Sequence, residues 1–184
     1  MRGGIVGIHG LNKRAVACAS YRPGMYGPRG PRTGVPMILS FCVSIKEIVE
    51  RGRDFPWPRP QSCPRCHGVR IWGHGFVGAL FDGFVQQVLV RRWRCPECRC
   101  VMRARPSGYF DRFQAPVESI RSGIACRLKT GRWPPGSSRS RQGHWLRSLG
   151  RKIQAHLKAQ WIAGAVAGFD RLVEDGIIPV CRSI

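Results

Sequence analysis

Between residues 38 and 105, apolar and polar positions mostly follow the pattern of short β-strands. Several segments are rich in β-branched and aromatic side chains and are separated by glycine or proline. A turn at residues 81–83 stands between two of them and predicts a hairpin. The predicted strands are residues 38–43, 69–77, 84–94 and 100–105. We expect the last three to form an antiparallel ribbon, and residues 45–51 to form one or two helical turns.

After Pro106 the apolar residues change to helical spacing. The first predicted helix ends before Gly131, and its apolar residues lie three or four positions apart, at Val117, Ile120, Ile124 and Leu128. A second helix would begin at a serine cap, Ser138 or Ser140, with the inward residues Trp145, Leu149, Ile153 and Leu157. A third helix is predicted for residues 158–174 and stops at Gly176.

Two C-P-x-C turns flank the predicted hairpin. They are Cys63-Pro64-Arg65-Cys66 and Cys95-Pro96-Glu97-Cys98. Four thiolates brought together by the hairpin complete a closed tetrahedral shell for one zinc ion, with no open position for water. We therefore predict one structural Zn²⁺ bound by Cys63, Cys66, Cys95 and Cys98. The alternative is that these cysteines are buried thiols or form disulfides, but nine is an odd number and two close pairs favour metal.

Residues beside the pairs leave some alternatives open. His67 and Arg99 follow the two pairs, where glycine is common, so we expect slight strain in each turn. Cys100 could replace Cys98, although the C-x-x-C spacing favours Cys98, and His67 or His74 as a further ligand is disfavoured. The remaining cysteines have no ligand spacing and are expected to be free thiols: Cys18, Cys42, Cys126 and Cys181.

The charge of the chain indicates a polyanionic partner. Lys and Arg number 31 against 10 Asp and Glu, which gives a formal net charge of +21. Arginine dominates, and its planar guanidinium suits phosphate and guanine, so nucleic acid is favoured over an anionic membrane or a merely solubilising surface. No apolar run approaches the ~20 residues of a membrane span, and no secretory signal is evident. A cytoplasmic, nucleoid-associated protein is expected.

Basic residues mark two candidate DNA contacts. The predicted helix pair resembles a helix-turn-helix whose second helix enters the major groove, and its candidates for base edges are Arg139, Arg141, Gln142 and His144. Its candidates for phosphate are Arg147, Arg151 and Lys152. On the ribbon, strand alternation places Arg92 and Arg94 on one face, and Arg91 and Trp93 on the other. A solvated basic face without groove contacts is the alternative.

These patterns together predict an α+β protein, a small four-cysteine zinc ribbon with three antiparallel strands followed by a helix-turn-helix-like domain. The expected divisions are a disordered basic leader (1–36), a short strand, helix and proline-rich link (37–61), the ribbon (62–105), the basic helical domain (106–158), and a C-terminal helix and tail (159–184). A translation start at Met37 is an open alternative for the leader.

The ribbon segment resembles a known family. The series C-P-R-C, Ile71-Trp72-Gly73-His74-Gly75 and Val90-Arg91-Arg92-Trp93-Arg94-Cys95-Pro96-Glu97-Cys98 is similar to the N-terminal zinc ribbons of bacterial insertion-sequence transposases. The resemblance covers residues 62–158. The resemblance implies that the ribbon precedes a helix-turn-helix. Together the two would bind the DNA at the ends of the insertion sequence.

Such transposases continue into a ribonuclease-H-like domain with three acidic metal ligands. The three acidic residues near the end of this chain, Asp170, Glu174 and Asp175, fall on or near one short helix, so strand transfer is not expected. We expect a non-enzymatic, zinc-dependent protein that binds double-stranded DNA, with a separately encoded transposase or integrase as a possible partner. The alternatives are an RNA- or ribosome-associated protein and a stand-alone transcriptional regulator.

Overall fold

The computed structural model describes residues 37–136, 138–157 and 164–182. Within them the chain is α+β, with a four-stranded sheet and four α-helices. The strands are β1 (Met37–Phe41), β2 (Trp72–Ala79), β3 (Val88–Arg94) and β4 (Val101–Pro106). The predicted leader, residues 1–36, lies outside the described residues.

The sheet is mixed, with strand order β1-β4-β3-β2. The hairpin β2–β3 and the pair β3–β4 are antiparallel, as the sequence predicts. Strand β1 adds to the free edge of β4 in parallel, with Leu39 opposite Ala104. The predicted three-stranded ribbon is therefore part of a larger sheet, because pairing with β4 satisfies the backbone of β1 and buries Leu39.

Helix α1 (Ile45–Arg51) covers part of this sheet. It begins at Ser44, whose Oγ accepts a hydrogen bond from the backbone N–H of Glu47 at 3.5 Å, and it ends at Gly52 with φ 55°. Ile48 is fully buried against Val88 and Val90. A 3-10 turn at residues 52–54 then leads into the proline-rich segment of residues 55–60.

Strand β3 is covered on both faces. Val90 and Trp93 are 1% and 3% exposed, and an odd separation along a strand points their side chains to opposite faces. Val90 packs with Ile48 and Phe55, whereas Trp93 packs with Met102 and the buried cysteines. Since both faces are covered, the strand does not show the simple buried and exposed alternation of a one-sided ribbon.

The second half of the chain contributes helices α2 (Val117–Thr130), α3 (Arg139–Leu157) and α4 (Gly164–Glu174). Helix α2 ends at Gly131, which has φ 70° and donates its N–H to the carbonyl of Arg127. Ser138 caps α3 through a bond from the N–H of Arg141. The predicted residues 158–163 of the last helix lie outside the described residues.

The helices share one core. Its buried members include Ile120 and Ile124 of α2, Trp145 and Leu149 of α3, and Phe169 and Leu172 of α4. Ile153 and Leu157 pack partly buried against this core, as predicted. Leu128, which has the same helical spacing as Ile120 and Ile124, is 51% exposed, because the apolar stripe of α2 leaves the core one turn before the helix ends.

Two arginines connect the sheet to the helical part. Arg105 of β4 is buried, donates a hydrogen bond to the carbonyl of Phe113, and lies 5.2 Å over the ring of Phe81. Arg141 of α3 forms an ion pair with Asp82 in the β2–β3 connection. The start of α3 is therefore held against the hairpin.

Candidate metal centre and basic surfaces

The four predicted cysteines form one cluster. Their sulfur atoms all lie within 4.8 Å of one another, with Cys63 Sγ 3.5 Å from Cys98 Sγ and Cys66 Sγ 3.6 Å from Cys95 Sγ. A tetrahedral ion with metal–sulfur bonds of about 2.3 Å requires sulfur separations of about 3.8 Å. The donor set and its spacing therefore fit one tetrahedral metal ion, and no other such group occurs in the described residues.

The two knuckles repeat the same backbone conformation. The N–H of Cys63 donates to the carbonyl of Gly68 at 2.8 Å, and the N–H of Cys95 donates to that of Cys100 at 3.0 Å. His67 and Arg99, which follow the second cysteine of each pair, have φ 61° and φ 59°. Both residues are in the left-handed region, which favours glycine and is strained for other residues, so the expected strain at these positions is confirmed.

Glu97 joins the two knuckles. Its carboxylate lies across Gly68, where a Cβ atom would overlap it, and its Oε1 is 3.9 Å from Nε of Arg70. Because Gly68 has no side chain, the tip of the second knuckle can approach the base of the first. This contact therefore links the two cysteine-containing turns directly.

The clustered thiols do not all shift in one direction: the pKa of Cys95 is lowered, whereas burial raises that of Cys98. Hydrogen-bond donors lower the pKa of Cys95 to about 7, although burial opposes them. The backbone N–H of Cys98 has the largest effect, followed by the Cys66 thiol and the backbone N–H of Glu97. Burial, with the negative sulfur atoms nearby, raises the pKa of Cys100 to about 11. The geometry separates the two candidates, because Cys98 and not Cys100 lies in the four-cysteine cluster, as predicted.

Other candidate ligands and cysteines lie outside the cluster. His67 and His74 are not members of it. Cys126 and Cys181 are free thiols, as expected, whereas Cys42 is disulfide-bonded, so the expectation is wrong there. The spacing of metal ligands along the chain carries no information about disulfide pairing. Cys18 lies outside the described residues.

The ribbon arginines follow the predicted alternation. Arg91 lines the same cavity as Trp93, and its guanidinium lies 4.7 Å over the ring of Phe76. Arg92 is directly opposite Arg103 in the β3–β4 ladder, and Arg94 is exposed. Burial lowers the pKa of Arg103, and the charge of Arg92 adds to this effect. Like charges placed opposite each other repel unless an anion lies between them, so this face suits phosphate.

The start of α3 is packed rather than open. Gln142 is 2% exposed, and its Nε2 donates to the carbonyl of Pro134 at 3.2 Å. Arg141 pairs with Asp82 at 2.8 Å and lies 4.9 Å over the ring of Trp145, while His144 is half-buried. The prediction that Gln142 contacts a base is therefore wrong, because its side chain holds the loop before α3. Arg141 is also engaged within the protein.

The rest of α3 presents a basic side. Arg139, Arg147 and Arg151 are exposed, and none forms an ion pair with any residue that the structure describes. Spacings of eight and four residues place them on one side of the helix, and the guanidinium of Arg147 lies over Gly143, where a Cβ atom would be 3.4 Å from Nη1. Lys152 is half-buried beside them. Of the predicted DNA contacts on α3, these are the ones that the fold leaves accessible.

The sequence reasoning missed one group of residues. Trp57, Trp72 and Arg91 all contribute to the lining of one cavity. Aromatic residues and arginine occur close together both in the segment Phe55–Arg59 and around Arg91, and this grouping was a signal that could have indicated a shared site. Predicting the shared site required knowing that the proline-rich segment lies across β2 and β3.

No described helix combines the length and the apolar character needed to cross a lipid bilayer. Comparison with known proteins gives no match to this chain, whether with family models, curated protein sequences or solved structures.

Proposed function

We propose that this protein binds double-stranded DNA and depends on one structural zinc ion for its fold. The observation that carries the proposal is the exposed side of α3, where Arg139, Arg147 and Arg151 have no acidic partner among the described residues. The sequence has no Asp or Glu from residue 119 to residue 169. A surface with this many unpaired guanidinium groups is stabilised by a polyanion.

Zinc is the metal that best suits the cluster. Four thiolates in a tetrahedral arrangement select zinc or iron rather than the hard cations magnesium and calcium. The complete shell leaves no position for water or substrate, so the ion would have a structural role. It would link Cys63 and Cys66 to Cys95 and Cys98, and thereby fix the ends of β2 and β3 that carry the ribbon arginines.

The basic side of α3 has the dimensions of a groove contact. Arg139 and Arg151 are twelve residues apart, which corresponds to about 18 Å along a helix. Because Gln142 and Arg141 are engaged within the protein, binding would depend mainly on phosphate contacts from Arg147 and Arg151. Arg139, at the exposed start of the helix, is then the candidate for a base edge.

The choice of DNA follows from the ribbon's resemblance to insertion-sequence transposases. The terminal sequences of a mobile element are the duplexes to test first, and a separately encoded transposase or integrase is the corresponding protein partner. The role of this chain would be to bind the ends of the element without cutting or joining them. Arg92 and Arg94 would add phosphate contacts from the sheet.

Fluorescence anisotropy with a labelled duplex tests this proposal. Arg147→Ala should weaken binding and reduce the slope of log K against log salt by about 0.9, as loss of one phosphate contact requires. Arg171→Ala is the control, since it removes the same charge from α4, where Arg171 already pairs with Glu174 and Asp175. Equal effects of the two variants, or tighter binding of duplex RNA than of duplex DNA, would count against the proposal.

A further inference from the structure

One face of the sheet carries two neighbouring cross-strand pairs close to the cysteine knuckles. Trp72 at the start of β2 lies directly opposite Arg94 at the end of β3, and Arg92 lies directly opposite Arg103 of β4. Side chains directly opposite each other on antiparallel strands share a face, with Cβ atoms about 4.5–5.5 Å apart. Arg92 and Arg94 are two residues apart on β3, so the two pairs lie on the same face, about 7 Å from each other along the strand.

Trp72 gives this face an exposed aromatic ring. The residue is 58% exposed, although tryptophan usually buries most of its surface. Strand β2 is at the edge of the described sheet, so Trp72 can also border the cavity that Arg91 lines. The exposed side chain of Arg94 lies directly across from the indole. A flat ring beside a cation is suited to stacking on another flat ring that carries a negative group.

The arginines of this face have no acidic partner. Arg92, Arg94 and Arg103 form no ion pair with any residue that the structure describes. Nε of Arg92 is buried and has no hydrogen-bond partner among those residues. Nη2 of Arg92 lies 3.9 Å from the position that a Cβ atom would take at Gly75, in the bulge of β2, and glycine has no side chain to cover it. These guanidinium groups therefore offer donors to an anionic ligand.

We infer that this face binds unpaired nucleotides of a nucleic-acid strand, with one base stacked on Trp72 and the phosphates held by Arg92, Arg94 and Arg103. In a duplex the bases cover one another's faces, so the indole could not stack on them. A purely apolar partner would leave the guanidinium groups without a counter-charge. Aromatic side chains beside a cationic surface are a common means of binding single-stranded nucleic acid.

This inference goes beyond the proposed duplex binding. It shares Arg92 and Arg94 with that proposal, but it does not depend on α3. The distinguishing group is the indole of Trp72, which has no role in the proposed contacts with duplex phosphates.

Two substitutions of Trp72 separate ring stacking from apolar bulk. Trp72→Phe keeps a flat ring, whereas Trp72→Leu keeps apolar bulk without one. Arg103→Gln removes one charge of the arginine pair. Arg91→Gln is its matched control, because Arg91 is next to Arg92 on β3 and points to the opposite face, where its guanidinium lies 4.7 Å over the ring of Phe76.

The test uses the full chain with zinc bound and labelled single-stranded hexamers of DNA and of RNA. A third hexamer keeps the DNA phosphates but lacks bases. Trp72→Leu should weaken binding of whichever base-containing hexamer binds more tightly by about fivefold or more, the range found for loss of base stacking, and Trp72→Phe should weaken it less. The abasic strand should bind the unchanged protein about as weakly as the normal strand binds Trp72→Leu.

Salt titrations with the base-containing hexamer test the arginine pair. Arg103→Gln should reduce the slope of log K against log salt by about 0.7, as loss of one phosphate contact on a single strand requires. Arg91→Gln should leave this slope unchanged. A larger effect of Arg91→Gln than of Arg103→Gln would overturn the inference, because it would place the strand on the opposite face.

Zinc content and the thermal unfolding curve of each variant separate loss of the site from loss of the fold. Equal affinity for the abasic and normal strands, or equal hexamer binding by folded Trp72→Leu and Trp72→Phe variants, would overturn the inference. Weakening of duplex binding by Trp72→Leu as large as that of hexamer binding would also overturn it. Loss of duplex binding in Arg147→Ala with hexamer binding intact is expected, and it keeps this result separate from the proposed function.

Discussion

Nη2 of Arg141, on the first turn of α3, lies 2.8 Å from Oδ2 of Asp82 in the connection between β2 and β3. The two side chains are 23% and 35% exposed, and the same guanidinium covers the ring of Trp145. The backbone N–H of Asp82 also donates to the carbonyl of Gln114. Asp82 therefore holds the helical part against the hairpin and neutralises one of the arginines nearest the start of α3.

Asp82→Asn should lower stability and strengthen DNA binding. Loss of a partly exposed ion pair costs about 1 kcal/mol or less in the free energy of unfolding. The freed Arg141 and the lost negative charge should together raise affinity for duplex DNA at low salt. Urea unfolding and anisotropy measure the two effects. Glu50→Gln, on an exposed residue with no ion pair among the described residues, removes the same charge and should change neither strongly.

The sequence predicts well those elements whose conformation depends only on residues nearby in the chain. Gly131 ends α2 because its left-handed conformation needs no distant contact, and residues 45–51 form a helix that starts at the serine beside them. The four-cysteine cluster was equally predictable, since two C-P-x-C knuckles joined by a hairpin bring their sulfur atoms together.

Features that depend on distant contacts could not be predicted in the same way. The composition of residues 37–41 indicates a strand, but its parallel pairing with residues 102–106 depends on how the intervening chain folds back. Gln142 has the side chain of a base-reading residue, and only the position of Pro134 shows that it is buried. The residue types at the start of a helix do not show which side of the helix packs against the rest of the protein.

Cys95→Ser should remove the metal and unfold the ribbon. Loss of a residue that only hydrogen-bonds to a metal ligand lowers metal affinity by roughly 10- to 100-fold. Because Cys95→Ser removes a ligand itself, zinc affinity should fall by more than that. DNA affinity should fall with it, since the ribbon arginines would no longer be held in place. Metal content by a colorimetric chelator assay, circular dichroism and anisotropy are the measurements.

Cys100→Ser is the matched control for that variant, because Cys100 is a buried thiol next to the second knuckle but not a member of the cluster. It should keep one zinc ion per chain. If Cys100→Ser lost the metal and Cys98→Ser kept it, the assignment of the fourth ligand would have to change to Cys100.

The ion pair between α2 and α4 predicts a dependence of stability on pH. Asp170 accepts hydrogen bonds from Nε and Nη2 of Arg121 at 2.6 and 2.7 Å, which hold the pKa of its carboxyl below the usual range although burial opposes this. The unfolded chain therefore binds this proton more readily than the folded chain does. The stabilisation is fully present above the ordinary aspartate pKa of about 3.9, and it is lost as the pH falls through the lower folded value.

Asp170→Asn should accordingly reduce the free energy of unfolding at neutral pH by about 0.5 to 1 kcal/mol, a value that allows for screening by solvent at these half-exposed side chains. The difference from the unchanged protein should shrink below about pH 4. Denaturant titrations followed by helical circular dichroism between pH 2.5 and pH 7, about the range over which aspartate titrates, give the comparison. A difference that stays constant over this range would contradict the assignment. Asp54→Asn, on an exposed residue, serves as control.

The left-handed residue after the second knuckle allows strain and charge to be separated. Arg99 has φ 59°, where a side chain with a Cβ atom is disfavoured by about 1 kcal/mol relative to glycine. Arg99→Gly and Arg99→Ala remove the same charge, but only the first also removes the strain. The glycine variant should therefore be more stable than the alanine variant by about 1 kcal/mol in chemical unfolding of the zinc-bound chain. Both variants should weaken DNA binding equally if Arg99 contributes only its charge. Equal stability of the two variants would show that the knuckle does not hold this residue in the left-handed conformation.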